Sequence, residues 1–142
     1  MHRAQIRRDK TNLHVNTVIY MVFIVFFLAG CVRTEAQQAA YRTASAAEAR
    51  KMMTELKDYI ILDVRTQEEY KEKRIAGAMI IPGHEIKNRA EKELPDKNRV
   101  ILVYCRSGVR SARAARELAG LGYTNVYDFG GITAWPYDTV RD

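Results

Sequence analysis

The chain has little of what metal centres and disulfide scaffolds are made from. Its 142 residues include two cysteines, Cys31 and Cys105, and three histidines, His2, His14 and His84. These are too few and too scattered for a ligand set, so no metal or organic cofactor is implied. There is no internal repeat and no low-complexity tract, which excludes a repeat array. Long apolar runs are scarce too. The longest is "VIYMVFIVFFLA", Val18 to Ala29, followed by "GC". Those twelve residues fall short of the ~20 that a helix needs to cross a bilayer.

What is present around that run has the layout of an export signal. Arg3, Arg7, Arg8 and Lys10 precede it against Asp9 alone, and small residues follow it. A basic n-region, a short apolar h-region and small residues are the parts of a secretory signal. The alternative is an uncleaved anchor helix extended from Asn16 to Val32. "LAGC", Leu28 to Cys31, resembles the lipobox of bacterial lipoproteins. That resemblance implies cleavage before Cys31 and a diacylglycerol on its thiol, holding the protein at a membrane surface. Val32 follows instead of Asp, so nothing argues for inner-membrane retention. The expected organisation is a signal peptide over residues 1–30, a lipid-anchored tether over 31–40, and a domain over 41–142. The expected location is the cell envelope, exported and membrane-anchored, on the periplasmic or cell-surface side.

Removing residues 1–30 leaves nineteen basic against sixteen acidic side chains, so the net charge falls from +6 to +3. Nucleic-acid binding needs a clustered basic footprint, and it has little support here. With Cys31 lipidated, Cys105 becomes the one free thiol. Proteins outside the cytoplasm normally use cysteines in pairs, so an unpaired one is a candidate reactive group.

The domain alternates helical and strand patterns. Ser45 and Glu48, then Thr66 and Glu69, stand at capping-box spacing and predict two helix starts. "YIILDV", Tyr59 to Val64, reads as a buried strand. "AMIIP" gives a brief strand ended by Pro82. "EIKNRAEKEL" predicts a helix with Ile86, Ala90 and Leu94 on one side. "RVILVY", Arg99 to Tyr104, is the strongest strand. "SARAARELAGLG" predicts a helix with Ala112, Ala115, Leu118 and Ala119 inward and Gly122 as its C-terminal cap. "NVYDF" is a last strand, and "GGITAW" opens a short final helix. Strands separated by helices imply a parallel α/β sheet.

Cys105 follows the most apolar strand, and ligands in open α/β sheets sit beyond the carboxyl ends of strands. The next helix begins near Gly108 to Ser111 and points its N-terminus, with free N–H groups and partial positive charge, back at the loop. Arg106 and Arg110 add full charges, Ser107 and Ser111 can donate hydrogen bonds, and Gly108 lets the backbone turn. All of this favours thiolate over thiol. The chemistry suggested is a nucleophilic thiolate attacking an anionic sulfur, phosphorus or arsenic centre. The bland alternative is a small buried residue at a strand end.

"ILDVRTQEEY", "RIAGAMIIP" and "ILVYCRSGVRSARAARELAGLGYTNVYDFGGITAW" together resemble a single-domain rhodanese from about Ser45 to Trp135. The resemblance implies a parallel five-stranded sheet with helices on both faces, and sulfur transfer through a cysteine persulfide. Cys105 matches the persulfide-forming residue. Arg106, Ser107, Gly108, Val109 and Arg110 match the cradle whose N–H groups surround the outer sulfur, with Arg110 steering or holding an anionic donor. The implied donor is a small anion such as thiosulfate, and the implied acceptor is a thiol or cyanide. Asp63 and Arg65 match a "DVR" element, read as structural support. Gly130, Gly131 and Trp135 match a "GG-I-x-x-W" element, with the glycines allowing a tight turn and Trp135 packing in the core. Lys73, Arg74 and Ala76 depart from the family's Gly, His and Pro.

Two rivals remain at this level. Phosphatase or arsenate reductase chemistry uses a related loop, but its signature needs five residues between Cys and Arg, and Arg110 comes one residue too early. A non-catalytic rhodanese-like module, binding a partner or sensing oxidants through Cys105, is the other.

Overall fold

A computed structural model describes residues 41–142. The expected signal peptide, the lipidated Cys31 and the tether all lie outside the described residues. Among the described residues, no helix is long and apolar enough to cross a membrane.

Ten elements follow in order: β1 (Arg42–Thr43), α1 (Ala46–Glu55), β2 (Tyr59–Asp63), α2 (Gln67–Glu72), β3 (Met79–Ile80), α3 (Ile86–Glu93), β4 (Val100–Cys105), α4 (Val109–Gly120), β5 (Val126–Gly131) and a 3-10 turn (Ile132–Ala134). The strands form one parallel sheet in the order β1-β5-β4-β2-β3. Both expected capping boxes form. The Ser45 side chain accepts from Glu48 N–H and Thr66 from Glu69 N–H, while each glutamate reaches back to its cap residue's N–H. Each box satisfies two backbone donors that a helix start would otherwise leave open.

The centre of the sheet is buried on both sides, which is why β4 and most of β2 are apolar. On one face, Leu62, Val64, Ile101, Val103 and Cys105 pack under Ile86, Ala90 and Leu94 of α3 and Ala114, Ala115 and Leu118 of α4. On the other, Ile61, Leu102, Tyr104 and Phe129 pack under Ala49 and Met53 of α1, with Ile75 and Trp135. Each fully buried Leu or Ile contributes about 1.5–3 kcal/mol. Trp135 closes this second layer through a tilted contact with Phe129, ring centroids 5.5 Å apart, and an edge-to-face contact with Tyr137, 4.9 Å apart.

Three details differ from the sequence expectation. The edge strand β1 carries no pattern of its own: two exposed residues pair with Tyr127 and Asp128. In α4, Ala112 is only half-buried, while Ser111 and Ala114 occupy the inward face. A serine goes inward because the helix must turn its first residues onto the thiol loop. The central strand also runs one residue further than expected and ends on Cys105 itself. At the other end of α4, Gly122 (φ +90°) takes the left-handed position. Gly122 N–H donates to Ala119 O at 3.0 Å and Tyr123 N–H to Leu118 O at 3.1 Å, the paired bonds of a Schellman cap.

The pairing of β4 with β5 contains an irregularity that matters for the site. Val103 faces Asp128, but Cys105 faces Gly131. Two residues on β4 therefore span three on β5, the count of a β-bulge. Gly130 (φ +87°) absorbs the extra residue, and its N–H donates to the Asp128 carboxylate at 3.0 Å.

Candidate active site

Cys105 is completely buried at the carboxyl end of the central strand. The chain then passes through Arg106, Ser107 and Gly108 into α4. Gly108 has φ +102°, a left-handed conformation that a side chain would strain. That turn aims Gly108 N–H back at the thiol, with N to Sγ 3.1 Å. Burial pushes the Cys105 thiol up. The N–H and hydroxyl of Ser111 and the N–H groups of Gly108 and Ser107 outweigh it, and the pKa lies below the ordinary thiol value. These donors stabilise the thiolate, which is the nucleophilic form.

The Ser111 hydroxyl has one hydrogen and several acceptors. Its oxygen lies 3.0 Å from Gly108 O and 3.2 Å from Gly130 O. In that orientation it braces the loop, and it helps the thiolate only by turning from the carbonyls to the sulfur. Thr133 braces the loop from the other side. Its hydroxyl donates to Arg106 O at 2.9 Å, and its N–H reaches the same oxygen at 3.3 Å. Gly131 lies against this carbonyl so closely that a Cβ there would stand 2.4 Å from Arg106 O and 2.6 Å from Ser107 Cα. Thr133 was not singled out in the sequence, and apart from its place inside "GGITAW" no signal marks it.

The two loop arginines differ. Arg110 places its two terminal nitrogens on the Glu69 carboxylate, at 2.7 and 2.8 Å. This bidentate pair joins the first turn of α4 to the first turn of α2. The hydrogen bonds from Arg110 are the first cause of a Glu69 pKa lowered to about 2. The same bonds raise that of Arg110. Sequence reasoning assigned Glu69 only to its cap, and nothing local to it reports a partner 41 residues away. Arg106, by contrast, is exposed, and among the described residues its side chain makes no hydrogen bond or ion pair. Val109 is also exposed, at 78%.

Asp63 and Arg65 lie at the end of β2, and both are buried. Arg65 Nη2 meets Asp63 Oδ2 at 2.6 Å, Arg65 Nε is 3.0 Å from both carboxylate oxygens, and Arg65 N–H donates to Oδ1 at 2.9 Å. The guanidinium also donates to Lys73 O and lies over the Tyr104 ring, 5.5 Å from its centroid. The pair thus ties β2 to the segment before β3. Where the chain departs from the family pattern, Arg74 stacks on Tyr70, pairs with Asp142 at 2.7 Å, and exchanges backbone bonds with Val140. His84 is an exposed side chain beside Glu85.

A parallel sheet with a buried thiol at the mouth of its central strand, cradled by the start of the following helix, defines a class of cysteine-loop α/β proteins. Within that class, residues 45–137 match the Rhodanese-like domain, and the chain belongs to that family. It is 41% identical over 71 residues to the thiosulfate sulfurtransferase PspE of Escherichia coli K12, covering 50% of this chain and 68% of that one. It is 34% identical over 96 residues to the thiosulfate sulfurtransferase GlpE of Coxiella burnetii, covering 67% and 87%. Among solved structures, a rhodanese with anions from E. coli superposes with a TM-score of 0.56 at 36% identity, covering 59% of this chain and 99% of that one.

Proposed function

We propose that this protein is a sulfurtransferase working through a Cys105 persulfide. The Cys105 thiolate attacks the sulfane sulfur of a bound anion of the thiosulfate type. A new S–S bond forms, the donor's S–S bond breaks, and sulfite leaves with the electron pair. A nucleophilic acceptor, a thiol or cyanide, then takes the outer sulfur and returns Cys105 as thiolate. The observation that carries this reading is the ring of N–H donors, led by Gly108 N–H on Sγ, which lowers the thiol pKa despite burial. The same donors suit the anionic outer sulfur of the persulfide. The relatives named thiosulfate sulfurtransferase support the choice of donor.

The test is thiosulfate-to-cyanide transfer by the full-length chain in detergent, beside Cys105→Ser, with mass spectrometry of the Cys105 peptide after thiosulfate. One added sulfur on the parent alone, with thiocyanate turnover, is expected. A folded, reduced parent with neither would overturn the reading in favour of a non-catalytic module. We further propose that Cys31 anchors the protein to a membrane in the cell envelope by a lipid. Fatty-acid labelling that disappears in Cys31→Ser supports this, and label absent from both proteins, or present in both, removes it.

A further inference from the structure

We propose that Glu69 is a specificity-determining residue of the sulfur-transfer site: by occupying Arg110 it leaves Arg106, in the cleft beside the thiol loop, to bind the anionic end of the donor. The inference rests on the sulfurtransferase reading and names which charge serves it.

The geometry separates the two cations. Arg110 is held by two short charged hydrogen bonds on one carboxylate, the strongest arrangement available to a guanidinium. Glu69 is itself fixed, because Oε2 also accepts from Thr66 N–H at 3.0 Å as part of the α2 cap. Turning Arg110 toward a donor would break the pair and leave a carboxylate facing the incoming anion. Among the described residues, Arg106 has no such tie. Its backbone is anchored by Thr133, and Arg106 lines a cleft of about 240 Å³ with Lys73, Glu72, Ile132 and Thr133. Arg65 and Glu69 also border this cleft, but each is neutralised by its own partner, Asp63 and Arg110. Lys73 and Arg106 are left against Glu72, which gives the cleft a net positive lining that includes the residue following Cys105. An anion held there reaches its cationic contact without competing for Arg110.

The proposal is tested with Arg106→Gln, Glu69→Gln and Arg110→Gln in the full-length chain, using thiosulfate, a dianion, and benzenethiosulfonate, a monoanion, as donors. Arg106→Gln is expected to raise the thiosulfate KM about tenfold with kcat within about twofold, and to affect the monoanion less. Glu69→Gln is expected to lower the thiosulfate KM about threefold, because Arg110 is released to add its charge. An unchanged KM in Arg106→Gln would overturn the proposal. A KM raised alike by Glu69→Gln and Arg110→Gln would also overturn it, since Arg110 would then be the donor contact and Glu69 only its support. Arg106 is exposed and, among the described residues, its side chain is unbonded, so its variant should unfold at the same urea concentration as wild type. A second readout does not depend on sulfur transfer: the ratio of iodoacetate to iodoacetamide alkylation rates at Cys105, measured on the Cys105 peptide. The ratio should fall about fivefold in Arg106→Gln and rise in Glu69→Gln. A wild type that alkylates in this pattern without turning over thiosulfate refutes the sulfurtransferase reading and keeps the charge assignment. A ratio indifferent to both variants refutes the charge assignment.

Discussion

Replacing Gly131 by alanine should damage catalysis more than it damages the fold. The added Cβ would meet Arg106 O at 2.4 Å, Ser107 Cα at 2.6 Å and Arg106 C at 2.8 Å. Relaxed non-bonded contacts lie near 3.5–4.0 Å, so the strand end and the loop must separate by about 1 Å. All three atoms are backbone, and the carbonyl is already fixed by Thr133, so no side-chain rotation relieves the clash. Overpacking of this kind costs about 1–3 kcal/mol. Misplacing reacting groups by about 1 Å costs about 100-fold in rate. The expected result is a protein that still melts cooperatively, with a thiosulfate-to-cyanide kcat/KM reduced about 100-fold. Gly130→Ala is the control. Gly130 has φ +87° and nothing within 4 Å of where a Cβ would lie. Its substitution should cost about 1–2 kcal/mol of stability through backbone strain while the folded protein keeps most of its rate. A Gly131→Ala protein with wild-type turnover, or a Gly130→Ala protein that loses as much, would refute the claim that close packing on Arg106 and Ser107 sets the loop.

Ser111→Ala removes the hydroxyl that braces the loop and can turn to the sulfur, so the Cys105 pKa should rise. The pH midpoint of iodoacetamide alkylation should then move to the alkaline side, and a midpoint that stays or falls would contradict the role given to the hydroxyl. Asp63→Asn leaves the buried Arg65 charge without its counterion, and urea denaturation should show a loss of about 3–5 kcal/mol; a loss under 1 kcal/mol would show that Arg65 finds another partner. Glu69 has a folded pKa lowered to about 2 from an ordinary 4.5. Its ion pair therefore stabilises the protein above about pH 4.5, and that contribution is lost as pH falls toward 2. Wild type should exceed Glu69→Gln in urea midpoint at pH 7, and the two should converge near pH 2. A gap that persists in acid would mean that the substitution acts through something other than charge.

The fold was readable where one short segment carries the whole signal. The two capping boxes, the apolar runs of β2 and β4, the Ile86/Ala90/Leu94 face of α3 and the glycine closing α4 are all local patterns, and each corresponds to an element in place. What escaped has its cause elsewhere in the chain. Strand β1 exists because β5 offers it an edge, not because Arg42 and Thr43 favour a strand. Ser111 carries no apolar signal and is absent from the expected inward face, although the carbonyls of Gly108 and Gly130 give its hydroxyl a buried place. In the site, the position of Cys105 and the helix start behind it could be anticipated from the order of residues. The fork between Glu69 and Arg110 could not, because a glutamate in a capping box already has a sufficient local reason to be there. Thr133 is invisible for a related cause: its acceptor is a backbone carbonyl, which no side-chain pattern records.

The bulge on β5 makes the glycine pair a matter of count as well as of space. Side chains on a strand change face with every residue, and the bulge absorbs the extra one so that pairing resumes with Gly131 opposite Cys105. Deleting either glycine would still leave a glycine opposite Cys105. It would also remove the bulge, and with it the local bend and added twist that a bulge gives its strand, at the point where Gly131 meets the Arg106 carbonyl. One glycine supplies clearance and the other supplies the count. Chain length at this point is as constrained as residue identity, and the domain should accept insertions far more readily in its helix connections than in these two positions.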